Sequence, residues 1–151
     1  MEEIYFKIFL QIEAIYILNV INNEFFSISY IDFQLLVSLI WYIHGNSPTN
    51  EAILVFLPGY EEISTTKDYL MQNNQNNDLI ICQLHSQMAS KEQRKAFQNF
   101  QNRKVILATN IAETSLTIND VKIVIDCGKV KEKSFDSLSG MFLQEISYFL
   151  S

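Results

Sequence analysis

Four short apolar runs constrain the fold of this chain more than anything else in it. They are Ala52-Ile-Leu-Val-Phe-Leu57, Leu79-Ile-Ile-Cys-Gln-Leu84, Lys104-Val-Ile-Leu-Ala108 and Val121-Lys-Ile-Val-Ile-Asp126. The first is continuous rather than alternating, is partly β-branched and stops at Pro58-Gly59, the pattern of a strand buried on both faces. Helical patterns precede and separate the runs. Leu35, Leu36, Leu39, Ile40 and Ile43 share one face by the 3.6-residue rule, with Asp32 as N-cap and Gly45 as the C′ residue. Glu61 and Glu62 fall in the first turn of a helix running to about Gln72, where carboxylates complement the dipole. Ser90-Lys-Glu-Gln93 has the capping-box form and opens a helix whose buried face is Ala96, Phe97 and Phe100, with Lys91, Arg94 and Lys95 outside. Strands alternating with helices at this spacing predict parallel βαβ units, right-handed crossovers and helices on both faces of an α/β sheet.

The remaining segments carry weaker signals. Residues 1–30 are acidic, rich in Ile, Phe and Tyr, and fit a core element, an interface or sequence outside the domain. Gln72 to Asn77 reads as an exposed connection of low complexity. Cys127-Gly-Lys-Val-Lys-Glu-Lys133 reads as a basic, hairpin-like extension, and the tail from Ser137 has no clear period. There is no internal repeat and no linker, so the domain spans 31–136, flanked by a divergent segment 1–30 and a divergent tail 137–151.

At 151 residues the chain is long enough to bury a core. Its net charge of −6 is unlike that of a free-standing nucleic-acid binder. The charge is uneven, however. Through Glu62 there are eight acidic residues against Lys7 alone, leaving nine acidic and ten basic residues for the rest. Any surface facing a polyanion therefore belongs to the later part. Cys82 and Cys127 follow no metal or redox spacing and read as buried thiols of a reducing compartment. His44 and His85 fit no zinc motif, and no metal site is expected. Glu2 and Glu3 stand where a secretory signal would be basic, and no apolar run reaches the ~18 residues of a membrane helix. These features predict an intracellular protein, cytoplasmic or nuclear, with no membrane partner.

The third run breaks into a polar segment, Thr109-Asn-Ile-Ala-Glu-Thr-Ser-Leu-Thr117. Two readings of it stand on residue type alone. A buried strand ending in hydrogen-bonding groups is how an open α/β sheet presents a ligand site. Equally, Ser, Thr and Asn are ordinary loop and capping residues. Standard phosphate-cradling and nucleophile motifs are absent. There is no G-x-x-x-x-G-K-[ST], no G-x-G-x-x-G and no G-x-S-x-G, and Gly128-Lys129 is followed by Val130. The chain reads as a domain that contributes to a site rather than one that owns it.

Ile53-Leu-Val-Phe-Leu-Pro-Gly59, Leu84-His-Ser86, Ala108-Thr-Asn-Ile-Ala-Glu-Thr-Ser-Leu-Thr117 and Val124-Ile-Asp126 with Gly128 resemble, in order, motifs IV, IVa, V and Va of the second RecA-like domain of DEAH-box (DExH) RNA helicases. The resemblance covers roughly 31 to 136. Gly128 to Asp136 and the helix before Ile53 look most like the subgroup holding the YTH-domain-containing RNA helicase, with the G-quadruplex-resolving helicases nearby. The resemblance implies a three-layer RecA-like (P-loop NTPase-like) fold with a mostly parallel sheet, incomplete at its C-terminus. It implies partners in single-stranded RNA and a first RecA-like domain, with ATP and Mg²⁺ as cofactors of the full-length family context and 3′ to 5′ translocation as the activity.

By motif position the resemblance implies RNA contacts at Gly59, His85, Ser86, Thr109 and Asn110. Short side chains and backbone N–H groups there reach phosphate and sugar without reading bases. Lys91, Arg94, Lys95, Lys129, Lys131 and Lys133 supply a modest field nearby. It implies nucleotide coupling at Glu113, Thr114, Ser115 and Thr117. Asn119 stands where many members carry an acid near the ribose. Plainer roles stand beside these: a strand-end histidine for His85, local backbone bonds for Glu113, a strand-end turn for Asp126 and a solvated face for the lysines of 129–133. Walker A, the DEAH box and the arginine-rich motif VI are missing. Phosphoryl transfer depends on placed cations, so no ATPase is expected of the chain alone. The divergent ends suggest a fragment, a truncated gene model or a partial paralogue. The alternative reading is a catalytically inactive RNA-binding or protein-interaction module on a RecA-like fold.

Overall fold

Asp32 starts the first described helix as expected. Its carboxylate accepts the Leu35 backbone N–H at 2.9 Å, and α1 (Phe33–Asn46) follows. The computed structural model describes residues 31–86, 88–109, 118–136 and 141–148. The readings made for residues 1–30 lie outside them. Leu36, Val37, Ile40 and Ile43 form the buried face of α1.

The end of α1 departs from expectation. Gly45 is not a C′ residue but part of the last turn. The Asn46 amide donates to Tyr42 O at 2.7 Å and the Ser47 hydroxyl to Ile43 O at 2.8 Å. These side chains satisfy the free carbonyls that a left-handed glycine would otherwise cap. Pro48 then holds Ser47 extended, at φ −141° and ψ 161°. An alanine at an exposed helical position is favoured over glycine by about 0.5–1 kcal/mol, and nothing lies within 4 Å of a Cβ built on Gly45. Gly45→Ala is therefore expected to raise the urea midpoint. A lowered midpoint would restore the capping role.

The four apolar runs are strands: β1 (Ala52–Leu57), β2 (Leu79–Leu84), β3 (Arg103–Thr109) and β4 (Val121–Asp126). They pair in parallel in the order β2-β3-β1-β4. The central pair is the most deeply covered, and all seven residues of β3 are buried. Alternation along the strands makes two core faces. Ile53, Val55, Leu57, Val105 and Leu107 pack with α1 and with Ile63 and Leu70 of α2 (Tyr60–Asn73). Ile106 and Ala108, with Leu54 and Phe56 at the margin, pack on the other side with Cys82, Leu84, Ala96 and Phe100. Helical segments thus cover both faces, and the Phe33 and Tyr69 rings stack 6.2 Å apart where α1 meets α2.

Local readings of the second crossover need correction. The helix α3 (Ser90–Gln93) has four residues and passes into a 3-10 turn (Arg94–Phe97). Its N-cap is Ala89, which has no side-chain cap, so Ser90 does not close a capping box. The Gln93 amide instead donates to Met88 O at 3.0 Å and His85 O at 3.4 Å. Phe97 is 42% exposed and Phe100 half-buried, leaving Ala96 as the buried anchor.

The polar connection after α2 also holds a buried residue. Asn74 donates to Leu79 O at 2.8 Å and accepts Leu79 N–H at 3.0 Å. Its amide acts as a strand partner for the start of β2.

Beyond the parallel sheet, β5 (Lys129–Asp136) and β6 (Met141–Tyr148) form an antiparallel pair, with Lys129 opposite Tyr148 and Asp136 opposite Met141. The basic stretch expected to be hairpin-like forms only the first strand of this pair, and the second falls in the tail that shows no period.

Candidate functional site

Parallel strands bring all their carboxyl ends to one edge, and the register places the expected residues there. Leu57 is level with Thr109, and Leu84 with Ala108. Gly59, two residues beyond β1, and His85-Ser86, directly after β2, therefore flank the end of β3, where Thr109 is the last residue. These four expected residues come from three segments up to 50 positions apart and meet only through the sheet.

The edge is built by local chemistry. Gly59 is the N-cap of α2 and its carbonyl accepts Ile63 N–H at 3.1 Å. The His85 carbonyl accepts Met88 N–H at 3.1 Å, so with Gln93 the loop after β2 is tied down on two sides. Ser86 is exposed and His85 half-buried, while Thr109 is only 9% exposed. Thr109 thus sits in the floor rather than projecting from it. The His85 ring packs edge-on against Tyr60, with centroids 4.9 Å apart and planes at 65°. Tyr60 and Gln93 are residues that sequence reasoning missed. The aromatic directly after Pro58-Gly59 was the available signal for Tyr60.

On the fourth strand, Asp126 is level with Phe56 and its carboxylate accepts Gly128 N–H at 2.8 Å. Gly128 has φ +62°, a conformation that favours glycine. Asp126 therefore shapes the strand-end turn, its plainer role. Lys91, Arg94 and Lys95 are exposed around the segment after His85, and Lys95 pairs with Glu92 at 3.0 Å.

Asn119 is at the other edge. It lies in the turn that leads into β4, beside Asp120, whose backbone oxygen accepts Ala52 N–H at 2.8 Å at the start of β1. A six-residue strand spans roughly 20 Å, so Asn119 and Thr109 stand at opposite ends of the sheet. Asn110, Glu113, Thr114, Ser115 and Thr117 lie outside the described residues.

The amino edge holds buried cations that the sequence does not announce. Arg103 is fully buried and donates to Glu51 O and Ser47 O, each at 2.7 Å, and to Ser47 Oγ at 2.8 Å. Burial lowers its pKa, opposed by the charge of Glu51. Lys104, 2% exposed, donates to Ala96 O at 2.7 Å, Gln98 O at 3.0 Å and Asp120 Oδ1 at 2.9 Å. On the sheet face, burial pushes the Cys82 thiol up, so it is not an activated nucleophile.

The described residues do not by themselves fit a nucleotide triphosphate. The longest helix N-terminus at the carboxyl edge, that of α2, carries Glu61 and Glu62 in its first turn. Their charge disfavours a phosphate there. Among the described residues no group of three or more His, Cys, Asp or Glu could hold a metal ion, and no helix is long and apolar enough to cross a membrane.

Residues 32–146 match the family model for the helicase conserved C-terminal domain. The chain is 47% identical over 111 residues to the Arabidopsis thaliana DExH-box ATP-dependent RNA helicase DExH2, covering 70% of this chain and 7% of that protein. It is 46% identical over 111 residues to the human ATP-dependent DNA/RNA helicase DHX36, covering 71% of this chain and 11% of that protein. Among solved structures it is similar to the Escherichia coli DExH-box NTPase HrpB, with a TM-score of 0.68 and 30% identity, covering 79% of this chain and 15% of HrpB. The chain therefore spans only a small part of the length of these relatives. The likeness extends to the three-layer α/β architecture, which is RecA-like.

Proposed function

Because this chain belongs to the helicase conserved C-terminal domain family and its relatives are DExH-box helicases, we propose that it serves as the second RecA-like half of an ATP-dependent RNA helicase. One observation carries this reading. Gly59, His85, Ser86 and Thr109, scattered in sequence, converge on the carboxyl edge of a parallel sheet, where open α/β sheets bind ligands. In this reading single-stranded RNA crosses that edge with its phosphates toward the His85-Ser86 side, away from Glu61 and Glu62, and contacts to backbone and sugar give binding without sequence preference. Exposed Lys91 and Arg94, on the segment that follows the His85 loop, supply a local field that the acidic chain lacks overall, while Lys95 pairs with Glu92.

The segment 110–119 links the edge at Thr109 to the opposite edge at Asn119. In the proposed cycle it couples RNA to nucleotide, with Glu113, Thr114, Ser115, Thr117 and Asn119 facing ATP and Mg²⁺ held mainly by a first RecA-like domain. ATP bound there supplies the transferable phosphoryl group. The residues described here position and couple rather than transfer it. A cytoplasmic or nuclear setting belongs to the same reading and accords with Cys82 and Cys127, neither of which forms a disulfide.

Two measurements test it. The purified chain with ATP and Mg²⁺ is expected to show no phosphate release above buffer, because its sequence holds no Walker A, DEAH box or motif VI. Steady turnover would refute this division of labour. Polyuridine and polyadenylate are expected to bind weakly and about equally, and His85→Ala is expected to weaken both alike. Unchanged affinity for both would remove His85 from the RNA path.

A further inference from the structure

Tyr60 stands apart from the other exposed large apolar side chains. Tyr42 lies on α1, Met71 near the end of α2 and Phe97 in the 3-10 turn. Among the described residues of this kind Tyr60 alone sits at the carboxyl edge, at the first position of α2, and is 53% exposed. Its ring is not loose. It meets His85 edge-on at 4.9 Å, and the loop that carries His85 is tied by Met88 N–H and the Gln93 amide.

The pair also bridges a gap. Tyr60 follows β1 and His85 follows β2, and these strands lie on either side of β3. Two strand spacings separate them by about 10 Å. The rings therefore meet across the end of β3, where Thr109 is buried. One side of the aromatic pair is anchored in the sheet, and the exposed part of Tyr60 faces away from the core.

Charge decides what fits. Glu61 and Glu62 occupy the turn that Tyr60 begins. They disfavour a phosphate beside the ring, and the backbone of a polyanion is better placed toward Lys91 and Arg94. What remains favourable at Tyr60 is a flat, neutral π-system. Resting on the RNA reading above, we propose that Tyr60, held edge-on by His85, is a stacking platform for one unpaired nucleobase. A ring already fixed by its neighbour loses little freedom on stacking, and every base offers a π-face, so the contact is sequence-tolerant.

The test is fluorescence anisotropy of the full chain with a short labelled oligoadenylate and with the same oligonucleotide made abasic. Tyr60→Ala is expected to weaken oligoadenylate binding about tenfold, the scale of one base–aromatic stack. Tyr60→Trp is expected to keep wild-type affinity. On the abasic strand, wild type and Tyr60→Ala are expected to bind alike. The ring is half exposed, so thermal midpoints should match and folding should not confound the comparison. Wild-type binding that Tyr60→Ala leaves unchanged overturns the platform while the RNA reading stands. Equal weakening on oligoadenylate and abasic strands also overturns it, because the ring would then act through local structure. No binding by wild type to either strand removes the RNA reading and the platform with it.

Discussion

Lys104→Ala is expected to cost about 3–5 kcal/mol of unfolding free energy, the loss typical when one partner of a buried ion pair is removed. The ammonium is 2% exposed and makes three short contacts, to Ala96 O, Gln98 O and Asp120 Oδ1. Two of these hold the end of the 3-10 turn against β3, and the third holds the turn that begins β4. Removing the cation leaves the Asp120 carboxylate, itself only 22% exposed, without that partner. Lys104→Met separates charge from packing. It keeps the apolar stem and loses the ammonium, so it is expected to lose most of the same stability. Urea unfolding of the two variants checks this. A loss below about 1 kcal/mol in both would reduce the pair to a surface-type interaction.

The second large effect is expected at Arg103. Arg103→Ala should destabilise by about 3 kcal/mol, since it strips the guanidinium from two carbonyls and a hydroxyl in a covered site. The planar fork spans Glu51 O on one nitrogen and Ser47 O and Oγ on the other. A single ammonium has no such fork, so Arg103→Lys should recover only part of the loss. Full recovery by lysine, read from the same denaturation curves, would show that charge rather than geometry holds the loop between α1 and β1. These effects belong to stability. The cations lie at the amino edge, away from Gly59, His85 and Thr109, so variants that remain folded should keep the carboxyl-edge geometry.

The contrast between these residues and the strand-end polar groups shows where sequence reasoning succeeds. Apolar runs such as Ala52–Leu57 are strands because their composition suits burial on both faces, which does not depend on a particular partner. Asp32 caps α1 because the N–H donor it accepts from, that of Leu35, is three residues away. Local interactions of this kind are legible in order along the chain. Where a local motif had several possible partners, the outcome changed. Gln93 turned toward the His85 loop rather than an N-cap, and Asn46 with Ser47 closed α1 in place of Gly45.

The sequence by itself determined the βαβ alternation, the polar ends of the strands and the motif run that marks the family. Tertiary structure alone decided the strand order, and with it that Gly59 and His85 stand on either side of Thr109 while Asn119 stands at the far edge. It also decided that Arg103 and Lys104 are buried. The physical reason is the same in both cases. An isolated charge or a lone strand end carries no information about its partner, and the groups that make a buried cation tolerable come from positions 47, 51, 96, 98 and 120, which only the folded sheet brings within reach.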